Sequence, residues 1–413
     1  MALFGEAPAR TFRSLRVPNY RRYFLGYAIS VAGTWMQRIG QDWLVVHLTH
    51  NASALSLVLV LQFAPTLLLG IWGGTVVDRV DTRTLLIVTQ LVQAILAAAL
   101  AVIALTQFHS LLGIYAMTLL LGIVTIFDNP ARQVFVGELV APADLVNAIT
   151  LAGAVNNVGR LAGPALAAGM IGLFGVGFTF LFNAVSFLAA LAGLLRVDPA
   201  SLRRVDPIPK AAGQLRAGFQ YVLRDPALRA TMVLVAFVSV FGQNFRVVLP
   251  ILATSTFHGN AATYGWLTAA LGLGAVSGGV ASAGAAAPTQ SRLRVACLAF
   301  CAVNVLAASM PELALAYGAM FLLGAANIVF NTLARSLLQL DCEPGMTGRV
   351  MGVYGIVFLG GTPIGAPIAG VLCQFAGARA ALVAAGILSA LPVVTGLCRA
   401  IRPRPAFSFD PEN

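Results

Sequence analysis

Residues 73–83 read Gly73-Gly74-Thr75-Val76-Val77-Asp78-Arg79-Val80-Asp81-Thr82-Arg83, a charged turn set between two long apolar runs. Four charges crowd into six positions, so the apolar runs on either side must be separate helices joined here at a polar face. Outward from this turn the same alternation recurs along the chain. Hydrophobic residues make up 59% of the 413 positions and charged residues only 10%, with a mean hydropathy of +0.86; a soluble domain carries about a quarter charged residues. A bilayer core about 30 Å thick takes roughly 20 apolar residues per helix. The apolar runs predict twelve spans, at 22–46, 53–77, 84–106, 110–132, 146–170, 176–196, 228–254, 261–285, 293–310, 313–337, 347–374 and 378–399. Strands of a membrane barrel would instead alternate over about ten residues at a time, and the runs are uninterrupted. The expected fold class is an all-α polytopic membrane protein.

The net charge of +11 and pI near 10.1 do not point to nucleic acid, because the charges are not spread over one surface. Arg10, Arg13, Arg16, Arg21 and Arg22, then Arg79 and Arg83, then Arg196 to Arg229 with Lys210, then Arg292, Arg294, Arg335, Arg349 and Arg399 to Arg404 all fall in one set of alternate loops. The other set holds Arg379 and the four histidines, His47, His50, His109 and His258. Basic residues collect on the cytoplasmic side, so both termini are expected in the cytoplasm of a bacterium, with the lipid bilayer itself as the charged partner. The Arg-rich start reads as a cytoplasmic arm and not a signal peptide. Cys297, Cys301, Cys342, Cys373 and Cys398 lack metal-ligand spacing, and no metal site is expected.

Residues 197–227 interrupt the pattern with Pro199, Pro207 and Pro209. They continue as QLRAGFQYVLRD, where Leu215, Phe219, Val222 and Leu223 keep helical spacing opposite Arg216 and Arg224. This predicts a linker carrying an amphipathic helix on the cytoplasmic surface. It divides the chain into a bundle at 1–196 and a bundle at 228–413, six spans each. The bundles repeat: an offset of 203 residues carries Arg132 onto Arg335 and Pro164 onto Pro367, aligning LGIVTIFDNPARQ with LGAANIVFNTLARS. Gly33 with Arg38 likewise parallels Gly242 with Arg246. Two parallel six-helix repeats with a site at their interface form the layout of an alternating-access transporter.

The pattern Gly74-x-x-x-Asp78-Arg79-x-x-x-Arg83 between spans two and three resembles the loop signature of the major facilitator superfamily, and the two-bundle layout resembles that family over nearly the whole chain. The resemblance implies that Asp78 latches the halves together on the cytoplasmic side when the cavity opens outward, addressing the N-terminus of span eleven near Thr347 and Gly348, where the helix dipole favours an anion. Asp81 stands where the family has a second glycine and Thr82 where it has a basic residue. The charge relay is therefore expected to run through Arg79 or Arg83, with Asp128 and Arg132 as partners. The second-half counterpart, GGVASAGAAAPTQSR, keeps Gly278 and Gly279 but has no acid. Gly159-Arg160-Leu161-Ala162-Gly163-Pro164 in span five resembles the Gly-Pro signature of the superfamily's exporters, with Ala167 and Ala168 replacing two glycines; it is either a hinge or a seam of small residues that lets helices pack closely. RVPNYRRYF, FDNPARQ, NFRVVLP and GRVMGVYGIVFLGGTPIG resemble the branch containing enterobactin exporters and macrolide efflux proteins.

Charges inside the membrane are functional candidates by default. Arg38 and Asp42 lie four apart on one helix face and are expected to pair. Gln37, Gln41, Gln62, Gln243, Asn244 and Arg246 suggest a wet cavity around them. Asp42 is the candidate proton carrier, since burial disfavours its charge while a neighbouring guanidinium favours it; the alternative is a permanently ionised partner of Arg38. Arg160 and Arg246 are candidates for an anionic or carbonyl-rich substrate group. A phosphate loop ending in Gly-Lys-Ser/Thr is missing, the one lysine being Lys210 in PIPKAAG, and no His/Asp or metal constellation suggests an enzyme. The expectation is a cofactor-free, monomeric carrier driven by the proton gradient that exports a bulky organic compound such as a drug or siderophore. An uptake symporter of a small organic solute, or a lipid flippase on the same fold, is the alternative.

Overall fold

A computed structural model of the chain describes residues 11–106, 110–203, 214–283, 287–343 and 345–396. The first half contains six long helices: α1 (Pro18–Thr49), α2 (Ala52–Val77), α3 (Thr82–Leu105), α4 (Leu111–Leu139), α5 (Pro142–Phe174) and α6 (Gly177–Leu195). A short helix, α7 (Gln214–Arg224), leads into α8 (Pro226–Phe237) and α9 (Phe245–Ile251), which are parts of one broken span. There follow α10 (Ala261–Ala283), α11 (Gln290–Ser309), α12 (Leu313–Leu340) and α13 (Thr347–Val394), the last bent at Gly377, where a φ of 85° divides it into two arms.

Among the described residues nine helices are long and apolar enough to cross a membrane, with the two arms of α13 taken together. The long helices left out are α1 and α5. Their length suffices, but α1 carries Arg21, Arg22, Arg38 and Asp42, and α5 carries Asn156, Asn157 and Arg160. The two least apolar helices of the first half thus both line the chamber that holds Arg38 and Arg160. Both run longer than the spans expected at 22–46 and 146–170, because each begins at a Pro in its first turn, where a missing N–H costs nothing.

The turn at 78–81 has a specific construction. Asp81 caps α3 by accepting from the Thr84 N–H at 2.8 Å. Arg83 reaches back to the end of α6 and donates to the Leu194 and Leu195 carbonyls, both at 3.2 Å, which satisfies acceptors that a helix C-terminus leaves open. Thr82 donates to Glu138 at 2.9 Å. The reading of Thr82 as a lost basic position is therefore incomplete, since its hydroxyl ties α3 to the end of α4.

Large side chains such as Phe135, Phe180, Phe300 and Phe330 fill the interior, whereas Leu112, Leu173 and Phe375 stand almost fully exposed around the outside. Such an apolar exterior is a lipid-facing surface. Within the halves α1 packs along α6 and α5, and α10 along α12; between them α2 meets α13 and α5 meets α10. The linker helix α7 is packed on one face and exposed on the other, at Arg216, Phe219, Leu223 and Arg224. Val222 is buried, Gly218 abuts the Arg349 backbone, and the Tyr221 hydroxyl accepts from the Glu343 N–H at 3.2 Å, so α7 is packed onto the α12–α13 corner. Pro207, Pro209, Lys210, His109, Cys398 and the basic residues at 399–404 lie outside the described residues, as does the start of the N-terminal arm.

Candidate functional site

The broken span positions the central charge. Val238–Gly242 forms a π-helical turn, after which Gln243 (φ −107°, ψ 20°) and Asn244 (φ −86°, ψ 39°) leave helical geometry and α9 starts afresh. A break leaves backbone carbonyls without partners, and Asn244 Nδ2 donates to one of them, Val240 O, at 2.6 Å. Non-helical backbone at membrane depth is tolerated where protein covers it or a cavity adjoins it. Here Gly365 of α13 provides the cover, since any Cβ at that position would collide with the Val240 carbonyl.

Arg246 sits in the first turn after the break and crosses to the other half. It donates from Nε to Asp42 Oδ2 at 2.8 Å and from Nη2 to Asp42 Oδ1 at 2.7 Å, with Nη1 donating to Gln62 Oε1 at 2.8 Å. The Tyr264 hydroxyl adds a bond to Asp42 Oδ2 at 3.1 Å. Asp42 is wholly buried. Two parallel charge-assisted bonds in a fork are the strongest form such a pair takes, and they join α1 and α2 of one half to α9 and α10 of the other.

The expected Arg38–Asp42 pair is not formed. Spacing along one helix brought Arg38 within reach, but Arg246 and Tyr264 saturate the carboxylate from across the interface. The Arg38 guanidinium lies instead over the Trp35 ring at 4.7 Å, its Nε buried without a hydrogen-bond partner. The expected wet cavity also divides. Gln37 accepts from Asn183 Nδ2 at 2.7 Å and Gln41 donates to Thr118 at 2.5 Å, so both are buried against α6 and α4, away from the cavity. Asn244 is likewise buried, at the break. Gln62, Gln243, Arg160 and Arg246 do face open space.

That space consists of two chambers, both lined by Arg38. One, about 220 Å³, lies between α1, α5, α9, α10 and α12 and is lined by Trp35, Arg38, Arg160, Gln243, Arg246 and Asn327 among others. The other, about 390 Å³, runs from Arg38 and Gln62 past Thr66, Thr125 and Asn129 to Gly352, Gly355 and Leu215 of α7. It therefore extends toward the end of the bundle that carries the linker helix. At the opposite end the halves touch: the Ala52 N–H donates to Gln374 at 3.1 Å, Gly370 lies against Ser56, and Gly265 against Ala168. Along α13 the contrast is direct, since Gly360, Gly361, Gly365 and Gly370 are packed whereas Gly348, Gly352 and Gly355 border open space.

At the linker end Asp128 pairs with Arg132 of its own helix at 2.6 Å, accepts from Thr89 at 2.8 Å and Gln90 at 2.9 Å, and Arg132 stacks over Tyr27 at 5.3 Å. Of the two arginines expected in the relay, Arg83 caps α6 and Arg79 is exposed. Gly74 and Asp78 occupy the end of α2 as expected. Gly159 and Gly163 pack on Trp35, while Pro164 and Ala168 meet Gly265 of the other half, which makes this stretch a two-sided seam. Pro367, its counterpart, lies inside α13. Sequence reasoning missed Tyr264, Trp35 and Asn327; a buried Tyr needs a hydroxyl partner, but nothing in the chain tied Tyr264 to a carboxylate 222 positions away.

Two helical halves, in contact at one end near a buried ion pair and parted at the other around a polar cavity, have the layout of a membrane transporter. The model of the transmembrane secretion effector family matches residues 9–413, and the chain belongs to that family, a branch of the major facilitator superfamily. The multidrug efflux pump Tap of Mycolicibacterium fortuitum is 26% identical over 390 residues, covering 90% of this chain and 93% of the relative. The enterobactin exporter EntS of Citrobacter koseri is 25% identical over 356 residues, 86% and 85% of the two chains. The Staphyloferrin A transporter of Staphylococcus aureus is 26% identical over 249 residues, 59% of this chain and 61% of that protein. In fold the chain is similar to the nucleoside transporter NupG, with a TM-score of 0.73 at 11% identity over 93% of this chain and 100% of the other. It is also similar to a bacterial homolog of the human lysosomal transporter Spinster in an inward-facing, unoccupied conformation, with a TM-score of 0.70 at 16% identity over 94% and 99%.

Proposed function

We propose that the protein is a proton-coupled exporter, working as a monomer by alternating access, that moves a bulky organic compound out of the cytoplasm across the bacterial inner membrane in exchange for protons. The observation that carries this reading is the buried Asp42–Arg246 pair across the two halves. For the closed end to open, α1 must part from α9, and Asp42 must lose the guanidinium that answers its charge. An uncompensated carboxylate in a membrane interior is strongly unfavourable. A proton taken up by Asp42 removes that penalty and couples opening to the gradient. Arg79, Arg203, Arg216, Arg224 and Arg349 cluster at the linker end, which by the positive-inside bias faces the cytoplasm, so the cavity stands open to the compartment from which an exporter loads. The efflux and export named for Tap and EntS support this direction.

The test is transport in proteoliposomes carrying an imposed pH gradient, with fluorescent organic dyes of either charge as cargo. Dye movement opposite to the proton gradient is expected, and Asp42→Asn should reduce gradient-driven movement at least tenfold while leaving exchange without a gradient less affected. Movement indifferent to the gradient in the unsubstituted protein would remove proton coupling from this account.

A further inference from the structure

The chamber between α1, α5, α10 and α12 carries more positive charge than its own walls neutralise. Three guanidiniums line it, those of Arg38, Arg160 and Arg246, and no carboxylate does. Asp42 lies behind Arg246 with no exposed surface and gives both of its oxygens to that guanidinium, so it reaches Arg38 only through its field and not through a hydrogen bond. Arg38 has no acid within ion-pair distance among the described residues, and its Nε is buried without an acceptor. Among the described residues Arg160 reaches only the neutral Asn157 oxygen, at 3.4 Å. On the facing wall the Asn327 amide nitrogen is a second buried donor without a partner. Donors and cations are in excess here, and acceptors and anions are lacking.

We infer that the cargo is an organic anion whose oxyanion is held by Arg38 and Arg160, with the Asn327 amide as a further donor. This deepens the transport reading and rests on it for the cavity being the cargo's path. Trp35 gives the site an apolar platform: Arg38 stacks on its ring, and its Nε1 donates to Asn156 at 3.0 Å. An aromatic or otherwise apolar body with a carboxylate-like group fits both features. Arg246 is not part of the anion clamp while it is paired with Asp42, so recognition and coupling belong to different arginines. A cationic cargo would meet the two unanswered guanidiniums directly.

The experiment compares fluorescein, an aromatic carboxylate, with rhodamine 6G, a related cationic dye, on the full chain in nanodiscs, reading binding by anisotropy. Fluorescein is expected to bind and rhodamine 6G to bind at least tenfold more weakly. Arg38→Gln and Arg160→Gln should each weaken fluorescein binding about tenfold, and Arg160→Lys should recover part of it. Thermal unfolding of each variant checks that it is folded, and Arg38→Lys serves where Arg38→Gln is not. Equal binding of the two dyes, no binding of fluorescein, or fluorescein binding unchanged in the folded double variant would overturn the inference. Arginine-dependent fluorescein binding without dye movement in proteoliposomes would uphold the anion site and count against the export reading alone.

Discussion

Asp42, Arg246, Gln62 and Tyr264 form one hydrogen-bonded unit, and the consequence of cutting it depends on which member is lost. Removing one partner of a buried pair leaves the other charge uncompensated, at a cost of roughly 3–5 kcal/mol, whereas removing both is far milder. Asp42→Asn and Arg246→Gln should each lower the unfolding temperature in detergent markedly, and the double variant should lie above the sum of the two losses. Additive losses would mean that the pair does not act as a unit. Tyr264→Phe removes a single bond and should cost about 1–2 kcal/mol. The components of this site were partly legible beforehand. Asp42, Arg246 and Gln62 stood out because ionic and polar side chains inside apolar runs are costly. Their pairing was not legible: helical spacing favours the local Arg38, and the acceptor geometry of a carboxylate is decided by whichever donors tertiary packing brings, here from positions 204 and 222 residues away. Gln37 and Gln41 misled for the same reason, since a polar residue in a span can equally be a buried tie to a neighbouring helix, as both are.

At the scale of the element, the broken span α8–α9 and the first arm of α13 are complementary. The π-helical turn at Val238–Gly242 bulges its backbone outward, and the glycines at 361 and 365 leave room for it; Gly361 meets Ser239, whose hydroxyl also donates to Val357 O at 3.2 Å. Gly365→Val puts side-chain atoms where the Val240 carbonyl lies. It should abolish monodisperse expression or lower the unfolding temperature by many degrees. Gly355→Val, ten residues earlier on the same arm, enters the open cavity and should leave the folded yield close to that of the unsubstituted chain. Similar effects at both positions, measured by size-exclusion profile and thermal unfolding, would contradict the packing described. Gly242 closes the π-helical turn just before the break, but neither Gln243 nor Asn244 is a proline or glycine, and the interruption depends on the space that α13 supplies.

The whole molecule is built from two halves that touch at one end and part at the other, and this is where the reading of the chain and the structure converge most. Apolar runs long enough to span, separated by charged turns such as 78–83, decide an all-helical membrane fold with little freedom, since backbone in lipid must satisfy its own hydrogen bonds. What the runs do not carry is the state of the halves, because the same contacts are available at either end and the balance is a matter of small energy differences. That balance is measurable. In a background without the five native cysteines, Ala52→Cys with Gln374→Cys should cross-link rapidly through a short thiol linker in the cargo-free protein, and should stop turnover. Val76→Cys with Gly348→Cys, at the linker end where Gly348 borders open space, should cross-link slowly. Gly370→Trp, a wedge against Ser56 at the closed end, should invert the two rates. Only in that inverted state does a latch from Asp78 to the start of α13 have work to do, so Asp78→Asn should slow linker-end cross-linking several-fold on the Gly370→Trp background and leave the cargo-free protein unchanged. If the linker-end rate on that background is the same with Asp78 and with Asn, the closed linker end is held by other contacts and the acid at the 78–83 turn has no gating role.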